Sequence, residues 1–181
     1  MVSRAFRCQV RLSLSDLDHD VYADKTIILA QEPDEPDEHI LLRFLAWVFF
    51  FDEFLADAPG WTILSEPDLI ARDLQGDVRL WIECGLPSTK HLTRAMGRSK
   101  SARFIALFGD RTEAEGFVTT IAAARPRNQN NLEVHVISRP LMERLETVAG
   151  RSMKWSATLS DGLLYIDCDG EVIEGSLIRI K

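Results

Sequence analysis

Strand-like alternation at both ends of the chain is the feature that most restricts its fold. Arg7 to Ser13 (Arg-Cys-Gln-Val-Arg-Leu-Ser) alternates polar and apolar side chains, and Val21 to Ala30 ends in Thr26-Ile27-Ile28-Leu29. With the polar stretch Ser15-Asp16-Leu17-Asp18 between them, these segments predict a β-hairpin. At the other end, Trp155 to Leu159, Leu163 to Asp167 and Val172 to Ile180 predict a meander, with Asp161-Gly162 and Asp169-Gly170 as turn dipeptides. Strand edges left unpaired expose backbone donors and acceptors. A compact solution pairs the terminal segments in one small sheet or barrel. This predicts a β-subdomain from about 1–31 and 152–181 around a core at about 37–139, all in a single domain.

Between the ends, apolar spacing alternates between helix and strand. Ile40, Leu41, Phe44, Leu45, Val48 and Phe49 recur at helical spacing behind an acidic, Pro-containing loop (Gln31 to Glu38), and Pro59-Gly60 stops the pattern. Trp61 to Leu64 is read as a short strand. Asp68 to Ala71 and Val78 to Cys84 flank the turn-rich Gln75-Gly76-Asp77, which predicts a second hairpin. A helix then starts at Pro87 or Ser88 and runs through Leu92, Ala95 and Met96. Arg103 to Phe108 reads as a buried strand, Thr112-Glu113-Ala114-Glu115 as a capping box opening a helix to about Ala124, Asn131 to Ser138 as a strand and Pro140 to Val148 as a helix.

Composition excludes several classes. The longest apolar run, Phe44 to Phe51, is far shorter than the roughly 20 residues that span a bilayer, so it predicts a core helix and no membrane partner. Met1-Val2-Ser3-Arg4 leads into alternation rather than into a signal-peptide pattern, which predicts a cytoplasmic protein. Cys8, Cys84 and Cys168 are an odd number of widely spaced thiols, expected to be buried rather than paired or zinc-bound. A net charge of −7 argues against generic affinity for nucleic acid. That charge is unevenly spread, however: residues 1–89 carry −10, 90–154 carry +6 and 155–181 carry −3.

The second hairpin holds the residues that point to chemistry. Period-two geometry puts Arg79, Trp81, Glu83 and Gly85 on one face of its second strand and Val78, Leu80, Ile82 and Cys84 on the other. Asp68 and Glu83 then meet at one edge, where two carboxylates on rigid strands can hold one Mg²⁺ and so activate water. The plain alternative is a loop acid and a strand acid on a solvated face. On the following helix, Lys90, Arg94 and Arg98 repeat every four residues and form one basic stripe, whose plain alternative is a solvated helix face. The Trp47 to Phe51 cluster reads as core packing, and His19, His39, His91 and His135 share no ligand spacing.

Pro67-Asp68, a short hairpin and Ile82-Glu83-Cys84-Gly85 resemble the signature of the PD-(D/E)XK nucleases. More specifically, Leu41 to Trp47, Asp52-Glu53, Glu66-Pro67, Leu80 to Pro87 and the Asp161-Gly162 turn resemble the YaeQ family over nearly the whole chain. The resemblance implies an α/β protein with a restriction endonuclease-like core of helix, three strands, helix and strand. It implies a Mg²⁺- or Mn²⁺-dependent nuclease acting on DNA or RNA, with Asp68, Glu83 and the Cys84 backbone carbonyl as metal ligands and Glu38 or Glu53 assisting from the first helix. Where those nucleases place a catalytic lysine, two positions after the second acid, this chain has Gly85. Lys90 is then the expected displaced cation, with Arg94 and Arg98 on the phosphates. The other expectation is a module that binds nucleic acid or protein on the same fold without catalysis.

Overall fold

A computed structural model describes residues 6–32 and 34–181; the reading of Met1 to Arg4 lies outside the described residues, as does Pro33 of the acidic loop. The predicted hairpins and meander form, and their ends shift by a few residues. The N-terminal hairpin is β1 (Phe6–Asp16) and β2 (Val21–Gln31). The meander is β8 (Ser152–Ser160), β9 (Leu163–Cys168) and β10 (Glu171–Arg179). Asp161-Gly162 and Asp169-Gly170 both have positive φ at each residue, the conformation that two-residue hairpin turns require. The termini pair through β1 and β8, which run parallel.

The middle of the chain supplies α1 (Asp37–Phe49), β3 (Leu55–Asp57), β4 (Leu69–Arg72), β5 (Val78–Cys84), α2 (Thr89–Arg98), β6 (Arg103–Phe108), α3 (Arg111–Ala124), β7 (Leu132–Ile137) and α4 (Arg139–Val148). Three sequence expectations need correction. Trp61 to Leu64 is not a strand, because the amides of Thr62 and Ile63 both bond back to the Pro59 carbonyl and wind the chain into turns. The strand lies upstream at Leu55–Asp57, since α1 stops at Phe49 rather than at Pro59-Gly60. The cap of α3 is Asp110, whose carboxylate accepts the Glu113 amide, so Thr112 is already inside the helix.

The ten strands of the described residues join one sheet in the order β2-β1-β8-β9-β10-β7-β6-β5-β4-β3, because β10 pairs with β9 along one stretch and with β7 near its end. One face of the terminal strands (Val10, Leu12, Leu29, Trp155, Leu164 and their neighbours) packs with Phe44 and Leu45 of α1 in a single apolar core. The Phe44 ring meets Trp155 edge-on, 5.2 Å between centroids. Behind β5, β6 and β7 a second core holds Trp81, Phe104 and Phe108 against Leu92 and Met96 of α2 and Phe117 and Ile121 of α3. The parallel strands β6 and β7 are thus covered on both faces, which is why they read as near-continuous apolar runs.

The sheet curls about α1, and a buried arginine spans its two edges. Arg43 Nη1 donates to the Ala30 carbonyl of edge strand β2, 3.0 Å, and to Glu35, 3.1 Å, while Nη2 donates to Asp57 of the other edge strand, β3, 3.0 Å. The three free cysteines are all buried. No helix among the described residues is long and apolar enough to cross a membrane.

Candidate functional site

The antiparallel register of the second hairpin pairs Leu69 with Ile82, so the next position outward sets Asp68 opposite Glu83. The backbone supports this: the Asp68 amide bonds to the Ile82 carbonyl at 3.0 Å, and the Asp68 carbonyl accepts from Ala58 at 2.8 Å. Both acids line one cleft of about 600 Å³. Glu38 and His39 reach it from the first turn of α1, Trp61 and Leu64 from the loop before β4, Leu86 and Ser88 from the turn before α2, and Glu113 from the first turn of α3. A larger cavity of about 680 Å³ lies across α1, lined mainly by apolar residues such as Val10, Phe44 and Trp155 and by neither hairpin acid.

Each acid is oriented by an N–H group. Asp68, 4% exposed, accepts the Cys84 backbone N–H at 2.7 Å through Oδ2, and its Oδ1 lies 3.4 Å from His39 Nε2. Glu83, 9% exposed, accepts the Trp81 indole N–H at 2.8 Å through Oε1. Burial, partly offset by that indole bond and reinforced by the Asp68 charge, pushes the Glu83 carboxyl up to about 7. Two carboxylates facing across a hairpin repel, and the environment answers by weakening the acidity of one.

His39 is the residue that sequence reasoning missed. Its Nδ1 bonds to Glu35 Oε1 at 2.5 Å while Nε2 faces Asp68, so the imidazole bridges two acids. Burial works against its proton, but the hydrogen bonds to Asp68 and Glu35 and the charges of both outweigh that and raise it to about 9. The same bond to His39, with the Glu32 amide and Arg43, lowers the Glu35 carboxyl against the opposing effect of burial. The signal is present as Glu35, His39 and Arg43, spaced four apart, with Glu35 just before α1 and the other two inside it.

Of the other predicted residues, Glu38 lies in the cleft, close enough to Gly109 that any Cβ there would collide with its carboxylate. Glu53 lies beyond the end of α1 and is exposed, so it is not a helix acid, and it is not among the lining residues. Lys90, Arg94 and Arg98 are exposed on the outside of α2, whose Leu92, Ala95 and Met96 face inward, and none of the three lines the cleft. Gly85, two positions after Glu83, has φ +73°, a left-handed conformation that glycine adopts without strain. Its amide bonds to the Leu107 carbonyl at 2.8 Å and turns the chain away from β5.

Among the described residues no group of three or more His, Cys, Asp or Glu side chains converges tightly enough to hold a metal ion by itself. The donor set suits a hard cation with water completing its shell: two carboxylates, each with one oxygen fixed by an N–H, and the further acids Glu38 and Glu113 on the same walls.

The sequence profile of the YaeQ protein family matches residues 1–177. The uncharacterized protein YaeQ of Escherichia coli (strain K12) is 27% identical over 177 residues, covering 98% of this chain and 96% of that protein. The Salmonella typhi YaeQ protein is 28% identical over 155 residues, covering 86% and 84%. Among solved structures, the YaeQ protein from Xanthomonas axonopodis pv. citri superposes with a TM-score of 0.86 at 29% identity over 98% of both chains. The one from Pseudomonas syringae does so with 0.85 at 28%, over 98% of this chain and 96% of that one. Matched along nearly its whole length in both sequence and fold, the chain belongs to the YaeQ family.

Proposed function

We propose that this protein hydrolyses phosphodiester bonds of nucleic acid in the cytoplasm, using Mg²⁺ or Mn²⁺ held between Asp68 and Glu83. The observation that carries the reading is that these two acids, Asp68 just before β4 and Glu83 on β5, line one cleft at the open end of the same hairpin. Four carboxylates and one imidazole line that cleft, and such an excess of hard oxygen donors favours a divalent cation. The order α1, β3, β4, β5, α2, β6 supports kinship with the PD-(D/E)XK nucleases, whose core follows the same sequence of elements.

A divalent ion supplies, when bound, a more acidic water and a counter-charge for the phosphate. The chain's own residues do the rest. The Cys84 N–H and the Trp81 indole hold the two acids in place. His39, charged at neutral pH and facing Asp68, supplies the positive charge that neither Gly85 nor Lys90 brings into the cleft. Such preorganised charge beside a reacting centre contributes about 3 kcal/mol in typical active sites. Calorimetric titration with Mn²⁺, together with cleavage assays on DNA and RNA, tests the reading. Both binding and cleavage are expected, and both are expected to disappear in Asp68→Ala and Glu83→Ala. Absence of metal binding, or cleavage that survives both substitutions, overturns it.

The positive φ of Gly85 and the outward position of Lys90 favour a second reading, a non-catalytic module that binds nucleic acid or protein. On that reading Glu83→Gln leaves cellular function intact, whereas charge reversal at Arg94 and Arg98 abolishes partner binding. A steep loss of affinity with added salt identifies the partner as nucleic acid.

A further inference from the structure

We infer that the mouth of the cleft is a nucleobase-binding lip, so that the substrate is single-stranded nucleic acid bound through an unpaired base; the inference rests on the hydrolytic reading and names its substrate class. Exposed apolar side chains scattered singly are ordinary, but several gathered at the rim of one cleft mark a binding surface. Here three do. Trp61 is 39% exposed and Leu64 68% on one bank, and Leu86 is 69% exposed on the other. All three line the cleft whose floor holds Asp68 and Glu83.

The lip is built rather than incidental. Trp61 rests against the His39 ring, 4.9 Å between centroids and tilted by 50°, which fixes it beside the acid pair. Its loop is pressed onto the start of β4 at Gly60, where any side chain would collide with the Pro67 backbone. Apolar surface brought to one cleft from two different loops suits the flat face of an aromatic ligand.

Charge selects the kind of nucleic acid. Among the described residues that line the cleft none is Lys or Arg, and the one imidazole, His39, is buried with its ring nitrogens turned to Glu35 and Asp68, so the phosphate backbone finds no exposed cation at the mouth. Affinity must then come from the faces of the bases together with divalent ions. A duplex hides those faces in its own stack, whereas a single strand offers them.

Trp61 also provides the readout, since Trp47, Trp81 and Trp155 are all buried. The full-length protein is titrated with octadeoxyadenylate, and separately with an eight-base-pair duplex, in Ca²⁺ and again in EDTA, while tryptophan emission is followed. Single-stranded DNA is expected to quench the emission and to bind at least about tenfold tighter than duplex, with a shallow salt dependence. Trp61→Ala is expected to lose the quenching and on the order of tenfold in affinity, Trp61→Phe to keep most of the affinity, and Leu86→Ser to weaken binding without touching the tryptophan. Equal binding of duplex, or unchanged affinity in both Trp61→Ala and Leu86→Ser, overturns the inference. Quenching by an apolar peptide but not by the oligonucleotide overturns it in favour of a protein partner.

Failure here and failure of hydrolysis separate cleanly. Binding that depends on Trp61 without metal-dependent cleavage keeps the lip and removes the reaction. Cleavage whose KM ignores Trp61 keeps the reaction and removes the lip.

Discussion

His39 Nε2 stands 3.4 Å from an Asp68 carboxylate oxygen while Nδ1 of the same ring is bonded to Glu35, so one imidazole joins the acid preceding α1 to the acid opening β4. Both acids and the ring are buried, and removing the ring strips Asp68 of its facing cation and leaves Glu35 with Arg43 alone. Breaking a buried charge pair by deleting one partner costs roughly 3–5 kcal/mol. His39→Ala is therefore expected to lower the urea midpoint by a corresponding amount, whereas Arg94→Ala, exposed on α2, stays within about 0.5 kcal/mol of the parent. Equal midpoints for the two variants would show that the bridge contributes nothing.

The two raised groups set a pH dependence in successive windows. Glu83 holds its proton up to about 7 when folded, against 4.5 for the free side chain, so the folded state binds more protons and stability falls as pH rises between those values. His39 is raised from 6.5 to about 9; its contribution is complete below 6.5 and is lost as pH rises through 9. Urea unfolding from pH 4.5 to 9.5 is expected to show both declines. Glu83→Gln removes the lower one and leaves the upper.

Much of the fold is legible in the sequence, and the exceptions share a cause. Alternation fixed the terminal strands because one face of each is buried against α1, and the Asp-Gly turns announced themselves by chemistry. The three-residue β3 is invisible because so short a segment has no period to read, while the apolar Trp61 to Leu64 resembles a strand although Trp61 and Leu64 open onto the cleft and Ile63 stands exposed. In the site, the spacing of Asp68 and Glu83 was readable from the hairpin. The partnership of His39 with Asp68 was not, since it joins elements whose contact depends on how the sheet curls around α1.

That curl predicts a large effect for Arg43. It bonds to both edge strands at once, through the Ala30 carbonyl and Asp57, and to Glu35. Arg43→Ala leaves Glu35 and Asp57 without their shared cation and is expected to cost roughly 3–5 kcal/mol. Hydrogen exchange at the amides of β3 is expected to accelerate more than at those of β6, which lies in the middle of the sheet. Uniform acceleration would show that the arginine acts on global stability and not on the edges.

Restoring a lysine where the nucleases carry one should fail. A Cβ at Gly85 meets only His39 Cδ2, at an ordinary 3.8 Å, so space is available. The backbone is the obstacle, since φ +73° in a residue with a side chain costs on the order of 1–2 kcal/mol. Gly85→Lys is expected to lower the melting temperature and leave metal-dependent cleavage no faster than in the parent. A gain in turnover would show that the lysine position, and not His39, limits the chemistry.

Gly60 tests whether the loop before β4 positions the site. Any Cβ there would run into the backbone of Pro67 and Asp68, which cannot yield as a flexible side chain would. Gly60→Ala is expected to push the loop outward and break the hydrogen bond from the Ala58 amide to the Asp68 carbonyl, at a cost of about 1–3 kcal/mol. Exchange at the Ala58 amide should rise, and Trp61 emission should shift toward the red as the ring leaves His39. Gly97 offers the matched control, because a Cβ there meets nothing within 4 Å and the residue sits inside α2. Gly97→Ala should therefore be neutral or stabilising by up to about 1 kcal/mol. If Gly60→Ala behaves like Gly97→Ala, with Ala58 exchange unchanged, the loop is not what holds Asp68 at the floor of the cleft.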